Sequence, residues 1–379
     1  MKKYLCILLS IALVFIFPMT ASAKDDKNDD KIKAESVILM CMDNNEVLYK
    51  KNEKEHLSPA SVTKIMTILL VLEAIDNGDI SLNDKVSASK NAVAMGGSQI
   101  WLEVGETMSV DELLKAVVVA SANDACTALA EYVGGSTEGF VKMMNERAEE
   151  LGCENTNFEN SNGLDDTVTN HYSCAYDLAL ISSEVMKHSL INDYTTIWLD
   201  SLRNGETELN NTNKLINSYN GITGLKTGTT SNAGFCISAT ASRDNLNLVA
   251  VVLKSETSED RFETAAYLLD WGFANYEAIT PLIDQNKITP VKVSGGVFKE
   301  ITPVVKDNSK IVAKKGIKDI EYEYDIKKVV NAPIEKNDEL GCIKIKSEGK
   351  TIGEIKLVSP NSISRISLSE VFKDIVKKI

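Results

Sequence analysis

Three short groups of residues could carry chemistry together. Pro59-Ala60-Ser61-Val62-Thr63-Lys64 sets a serine and a lysine three residues apart at the start of a helical stretch. That spacing is close to one helical turn, so Lys64 projects onto the face of Ser61. A serine hydroxyl is a weak nucleophile until a base takes its proton. A lysine serves as that base only if burial or a second cation lowers its pKa, and Lys226 is a candidate for the second cation. Ser121-Ala122-Asn123 offers a hydroxyl to relay a proton to a leaving amine and an amide to hold a substrate amide. Lys226-Thr227-Gly228 pairs a cation with a hydroxyl. That pair grips a free carboxylate and so selects a substrate cut at its C-terminus. The helix start at Ser61 adds backbone N–H groups and positive potential for an oxyanion. Taken singly, each has a plainer reading: Ser61 as an N-cap, Lys64 as a solvated lysine, Ser121 as a turn residue, Lys226 and Thr227 as a strand end. All three groups in this order, each at an element edge, favour the catalytic reading.

The elements that must hold them follow from periodicity. Residues 37–42, the turn Asp43-Asn44-Asn45-Glu46 and residues 47–49 predict a hairpin. Helical patterns cover 60–75, 111–133 with a break near Ser121, 138–151, 173–187 and 262–276. Residues 234–242 and 246–253 are apolar and β-branched and predict a buried hairpin. Strands, then many helices, then strands and a helix describe an α+β domain: a mixed sheet whose chain ends meet, covered by inserted helices. After Pro281, short Val/Ile/Lys stretches at 288–293, 300–305, 320–324, 343–345 and 351–358 predict a small antiparallel all-β, sandwich-like domain.

Composition narrows the function classes. The chain has 379 residues, 44% hydrophobic and 25% charged, which excludes a disordered or collagenous protein and suggests two domains or more. A net charge of −13 argues against nucleic acid as a partner. The only histidines, His56, His171 and His188, leave little for a His-rich metal site or a Ser-His-Asp triad, and no cofactor or metal is expected. Cys41, Cys126 and Cys236 sit in apolar runs, and free thiols are expected.

The two ends differ from the body. Lys2 and Lys3, an apolar run over 4–17 and Ala21-Ser22-Ala23 form a secretory signal peptide, 1–23. Residues 24–34 are nearly all charged or amide-bearing and are expected to be a flexible leader. Within 362–379, from Ile366 on, the apolar positions Ile366, Leu368, Val371, Phe372, Ile375, Val376 and Ile379 fall largely on one helical face, and the whole stretch carries a local charge of +2. An amphipathic helix lying on a membrane is favoured over one docked on its own domain. The expected layout is 1–23 signal peptide, 24–34 leader, 35–279 catalytic domain, 280–361 β domain and 362–379 membrane-associating helix.

The motifs resemble those of the serine D-alanyl-D-alanine carboxypeptidases, the low-molecular-mass penicillin-binding proteins. The resemblance also covers Leu57-Ser58-Pro59-Ala60, Asp124-Ala125-Cys126, Asn162-Gly163-Leu164, His171-Tyr172-Ser173, Gly224-Leu225 ahead of Lys226, and Trp271-Gly272-Phe273. It implies a β-lactamase/transpeptidase-like fold and an exported enzyme at the outer face of the cytoplasmic membrane or cell wall. Its substrate would be peptidoglycan stem peptides ending in D-Ala-D-Ala. By similarity, Ser61 attacks, Lys64 takes the proton, Ser121 protonates the leaving D-alanine, and Asn123, Lys226, Thr227, Gly228 and Thr229 bind substrate. The N–H groups of Ser61 and Thr229 would form the oxyanion hole, and β-lactams would acylate Ser61. Cys174 stands where relatives carry Thr.

Three rivals remain at this level: a serine β-lactamase, a peptidase acting on cross-links, and a non-enzymatic penicillin-sensing module. A class A β-lactamase needs a glutamate for deacylation, and neither Glu154 nor Glu159 sits in a sequence of that kind. A sensing module predicts decay of a catalytic motif, whereas Ser61, Lys64, Ser121, Asn123 and Lys226 are all present.

Overall fold

The computed structural model describes residues 29–166, 168–306 and 310–367. The signal peptide and residues 368–379 of the expected terminal helix lie outside the described residues. Residues 29–31 form a short 3-10 turn.

β1 (Ser36–Cys41) and β2 (Val47–Lys51) form the predicted hairpin. β3 (Ile222–Thr230), β4 (Gly234–Arg243) and β5 (Leu246–Ser255) complete a five-stranded sheet in the order β2-β1-β5-β4-β3. Strands from the start and the end of this part thus meet. The expected mixed sheet is not found, because all four pairings are antiparallel. Neighbouring strands here are hairpin partners or the two returning ends, and no helix serves as a crossover between parallel neighbours. The expected leader ends earlier than 34: Lys33 donates from its backbone to Thr264 Oγ1 and pairs with Asp260 and Glu263.

The longer helices are α1 (Lys64–Asp76), α2 (Val110–Val119), α3 (Asn123–Gly134), α4 (Thr137–Glu150), α5 (Ala175–Val185) and α6 (Ser258–Asn275). α1 is buried from Lys64 to Leu72, which explains a continuous apolar run rather than a stripe. α2 opens with a Ser109/Glu112 capping box. The break near Ser121 is real: Ser121 takes φ +62 and separates α2 from α3. Cys174 caps α5, its Sγ accepting from the Asp177 N–H at 3.4 Å. The six described cysteines are buried, with free thiols.

Tyr276, assigned to a helix from sequence, instead opens β6 (Tyr276–Ile279). The β-rich part continues with β7 (Val291–Ser294), β8 (Glu300–Ile301), β9 (Val304–Val305), β10 (Ile311–Lys314), β11 (Ile320–Ile326), β12 (Val329–Asn331), β13 (Glu339–Ser347) and β14 (Lys350–Val358). Its sheets run β9-β14-β13-β11 and β8-β7-β12, and β6 pairs with β10. The expectation of purely antiparallel pairing fails at one place, where β7 and β12 run parallel. Residues 363–366 are extended rather than helical. Ile363 is buried in the small core with Val291, Val293 and Ile334, and the Ile366 N–H donates to Gly295 O at 2.9 Å.

Candidate active site

Ser61 lies in a 3-10 turn, Ala60–Thr63, that feeds directly into α1. Ala60 opens the turn at φ +48, a strained conformation for a residue with a Cβ. The Ser61 Oγ and Lys64 Nζ are 2.8 Å apart, and Lys64 also donates to Asn162 O at 2.7 Å. Lys64 is fully buried. Burial pulls its ammonium down to about 8, with the Cys126 thiol opposing. Lys226 is buried too and donates to Thr227 O at 3.0 Å. Its pKa falls well below the usual lysine value, through burial first and then the cations Lys64 and Arg261. Sequence reasoning assigned part of the Lys64 shift to Lys226. The structure assigns the Lys64 shift to burial, and the repulsion appears on Lys226 instead.

Lys226, Thr227, Gly228 and Thr229 sit inside β3, not just before a strand. Gly228 explains why this motif needs glycine. A Cβ there would lie 2.7 Å from Pro59 O and 2.9 Å from the Ser61 and Val62 nitrogens. β3 therefore packs its backbone against the Ser61 turn, and any side chain at 228 would push them apart.

Thr212 joins the other two motifs. The Thr227 Oγ1 donates to Thr212 Oγ1 at 2.7 Å, and the Thr212 N–H donates to Val119 O at the end of α2, two residues before Ser121. Ser121 is buried in its left-handed turn; among the described residues it makes no hydrogen bond to Ser61 or Lys64. Asn123 is held by its own N–H to Ser98 O and by Nδ2 to Gly96 O, both at 2.7 Å. Its Oδ1 is buried and has no partner among the described residues. A buried orphan acceptor is costly unless something fills it; a substrate N–H is suited to do so.

Several contributors escape a sequence reading. Arg261 on α6 donates through Nη1 to Gly228 O at 3.0 Å and to Thr229 Oγ1 at 2.9 Å, bracing β3 from behind. Burial lowers it to about 10, so it stays charged at neutral pH. Asn162 serves through its carbonyl, which any residue owns. His171 accepts the Glu159 N–H on Nδ1 at 3.0 Å, so its Nε2 carries the hydrogen and donates to Thr63 Oγ1 at 2.8 Å. Burial pulls His171 down to about 4, against the pull of Glu159 and Asp165, so it is neutral at pH 7. Glu159 is occupied as a clamp for the Thr169 and Asn170 N–H groups. Asp165 accepts from Thr230 Oγ1 at 2.5 Å, tying the 159–171 loop to β3. Among the described residues no group of three or more acidic, His or Cys side chains is placed to hold a metal.

The family model of D-alanyl-D-alanine carboxypeptidases matches residues 20–257, and that of the penicillin-binding protein 5 C-terminal domain matches 276–365. The chain is 41% identical to the D-alanyl-D-alanine carboxypeptidase DacF of Bacillus subtilis (strain 168), over 96% of this chain and 95% of that protein. Penicillin-binding protein 5 from Haemophilus influenzae superposes with a TM-score of 0.77 at 30% identity, covering 88% of this chain and 98% of that one. Penicillin-binding protein D2 from Listeria monocytogenes, solved in an ampicillin-bound form, has a TM-score of 0.59 at 33% identity, with 64% and 98% covered.

Proposed function

The chain belongs to the D-alanyl-D-alanine carboxypeptidase family of serine peptidases, and on that premise we propose how its own residues carry the reaction. Ser61 Oγ attacks the carbonyl between the two D-alanines of a peptidoglycan stem peptide. With a pKa of about 8, about a tenth of Lys64 is neutral at pH 7. In that form the Ser61 hydroxyl donates to Nζ along the 2.8 Å line, and the proton moves to Lys64 as the C–O bond forms. The Ser61 and Thr229 N–H groups stabilise the oxyanion. The C–N bond then breaks, and D-alanine leaves with a proton delivered through Ser121. Water hydrolyses the acyl-enzyme and regenerates Ser61. Asn123 Oδ1 holds a backbone N–H of the substrate, and Lys226 and Thr227 hold its terminal carboxylate. β-Lactams acylate Ser61 and stall there.

One observation carries this reading: a fully buried lysine within hydrogen-bond distance of the serine three residues before it. The β-lactamase alternative loses support because Glu159 is already engaged by two backbone N–H groups. Export by the signal peptide 1–23 and attachment through 368–379 complete the proposal, with the active site on the outer side of the cytoplasmic membrane. Among the described residues no helix is long and apolar enough to cross a membrane. The test is incubation with a peptide ending in D-Ala-D-Ala. The wild type releases D-alanine and Ser61→Ala does not; equal release from both overturns the assignment. Rapid turnover of penicillin would favour a β-lactamase.

A further inference from the structure

The tip of the β7–β8 hairpin carries an apolar pair that the fold does not use. Gly295 takes φ +70, and a Cβ on Gly296 would lie 2.7 Å from Val293 Cγ1 and 3.0 Å from Ile363 Cγ2, so the turn is tightly packed from beneath. Val297 and Phe298 follow it and are exposed, Phe298 at 65%. The small core below closes without them, through Val291, Val293, Ile301, Ala332, Ile334 and Ile363. One exposed apolar residue carries no message. Three further observations give this pair a partner.

First, Val329 on β12 is also exposed, and it lies beside Lys292 in the same three-stranded sheet. Second, the charge is local and opposite to that of the whole chain. The stretches 291–301, 327–331 and 363–366 hold Lys292, Lys299, Lys327, Lys328 and Arg365, all exposed, against the single carboxylate of Glu300, while the chain carries −13. Glu335, on the next turn, accepts a hydrogen bond from Ser362. Third, the chain leaves at this spot. The Val297 N–H donates to Ser364 O at 3.1 Å, the Ile366 N–H donates to Gly295 O at 2.9 Å, and Gly296 bridges Arg365. Residues 368–379, with Val371, Phe372, Ile375 and Val376 among Lys373, Lys377 and Lys378, therefore begin beside the tip.

We infer that the β7–β8 tip is a second membrane-contact element. Val297 and Phe298 enter the interfacial layer of an anionic bilayer, and the surrounding cations meet its headgroups. This rests on the reading of 368–379 as a membrane-associating segment. Weak insertion signals hold a protein only marginally when alone, and two together give stable attachment.

The experiment is co-sedimentation of the processed chain with phosphatidylcholine vesicles, with and without phosphatidylglycerol. Three forms are compared with the wild type: the double substitution Val297→Ser and Phe298→Ser, a chain ending at Ser367, and the two changes combined. The double substitution should weaken binding to phosphatidylglycerol vesicles about tenfold, with unchanged Tm and D-alanine release. The shortened chain should retain weak binding that high salt or the double substitution removes. Unchanged binding of the full-length double variant overturns the inference, as does equal wild-type binding to neutral vesicles. Loss of all binding on shortening, with no effect of the tip changes, leaves the tail as anchor and refutes the tip. Tip-dependent binding that shortening does not alter refutes the tail and keeps the tip.

Discussion

Lysines in two regions of this protein are treated in opposite ways. In the β-rich part, β11 and β13 lie side by side with Glu321 opposite Lys346 and Glu323 opposite Lys344. Lys346 pairs with Glu323, and Lys344 pairs with Asp325 at 3.1 Å, all near solvent. The Lys344 ammonium is held above its usual value by the hydrogen bond it donates to that carboxylate partner. In the catalytic part, Lys64 and Lys226 are buried and make no ion pair among the described residues, and both pKa values fall. Exposed, paired lysines add solubility and little stability. A buried lysine without an acid costs folding free energy, so its retention points to chemistry. The direction of the pKa shift, more than the count of charges, separates scaffold from site.

The comparison predicts effects that shrink in order. Lys64→Ala should lower D-alanine release about a thousandfold or more, with the circular dichroism spectrum retained. Acylation by a fluorescent penicillin at the wild-type rate would remove the distinction between the two regions. Gly228→Ala should lower kcat about a hundredfold, because its close contacts at 2.7 and 2.9 Å are all backbone and the nucleophile turn must shift. A kcat within twofold of wild type, measured on the same peptide, would show that β3 and the turn are not tightly fitted.

His171 sharpens the comparison through stability. Its pKa falls from 6.5 to about 4 on folding, so between those values the unfolded chain binds more protons and stability falls as pH is lowered. The loss should reach roughly 3 kcal/mol near pH 4, read from urea unfolding at several pH values, and His171→Gln should lack that component of the slope. At the small end, Lys344→Ala should leave Tm and D-alanine release unresolved from wild type, because its ion pair is exposed.

Much of the site was legible because its chemistry lies in side chains at local spacings. Ser61 and Lys64 are one turn apart, and Ser121 announced itself as a break in a helical pattern. The parts that were not legible act through backbone or across the fold. Asn162 contributes a carbonyl, Gly228 an absence of bulk, and Arg261 and Thr212 join elements far apart in sequence. β3 over its full length was missed, with Lys226 and Thr227 legible only as a strand end, because Gly224 and Gly228 weaken any strand signal. The hairpins and main helices were visible from periodicity. The parallel pairing of β7 with β12 was not, since two short strands carry no record of their direction. At the C-terminal end, the apolar pattern was extended back to Ile366, although Ile363 and Ile366 belong to β pairing in the small domain.

The central claim is that a buried, neutral Lys64 is the base for Ser61. It is tested most directly by the second-order rate of Ser61 acylation by a fluorescent penicillin, measured against pH. The rate should rise roughly tenfold per pH unit below about 8 and level off above it. A rate that is flat from pH 6 to 9, or one that keeps rising about tenfold per unit through pH 9 without levelling off, as a lysine of ordinary pKa, about 10.4, would give, would contradict it.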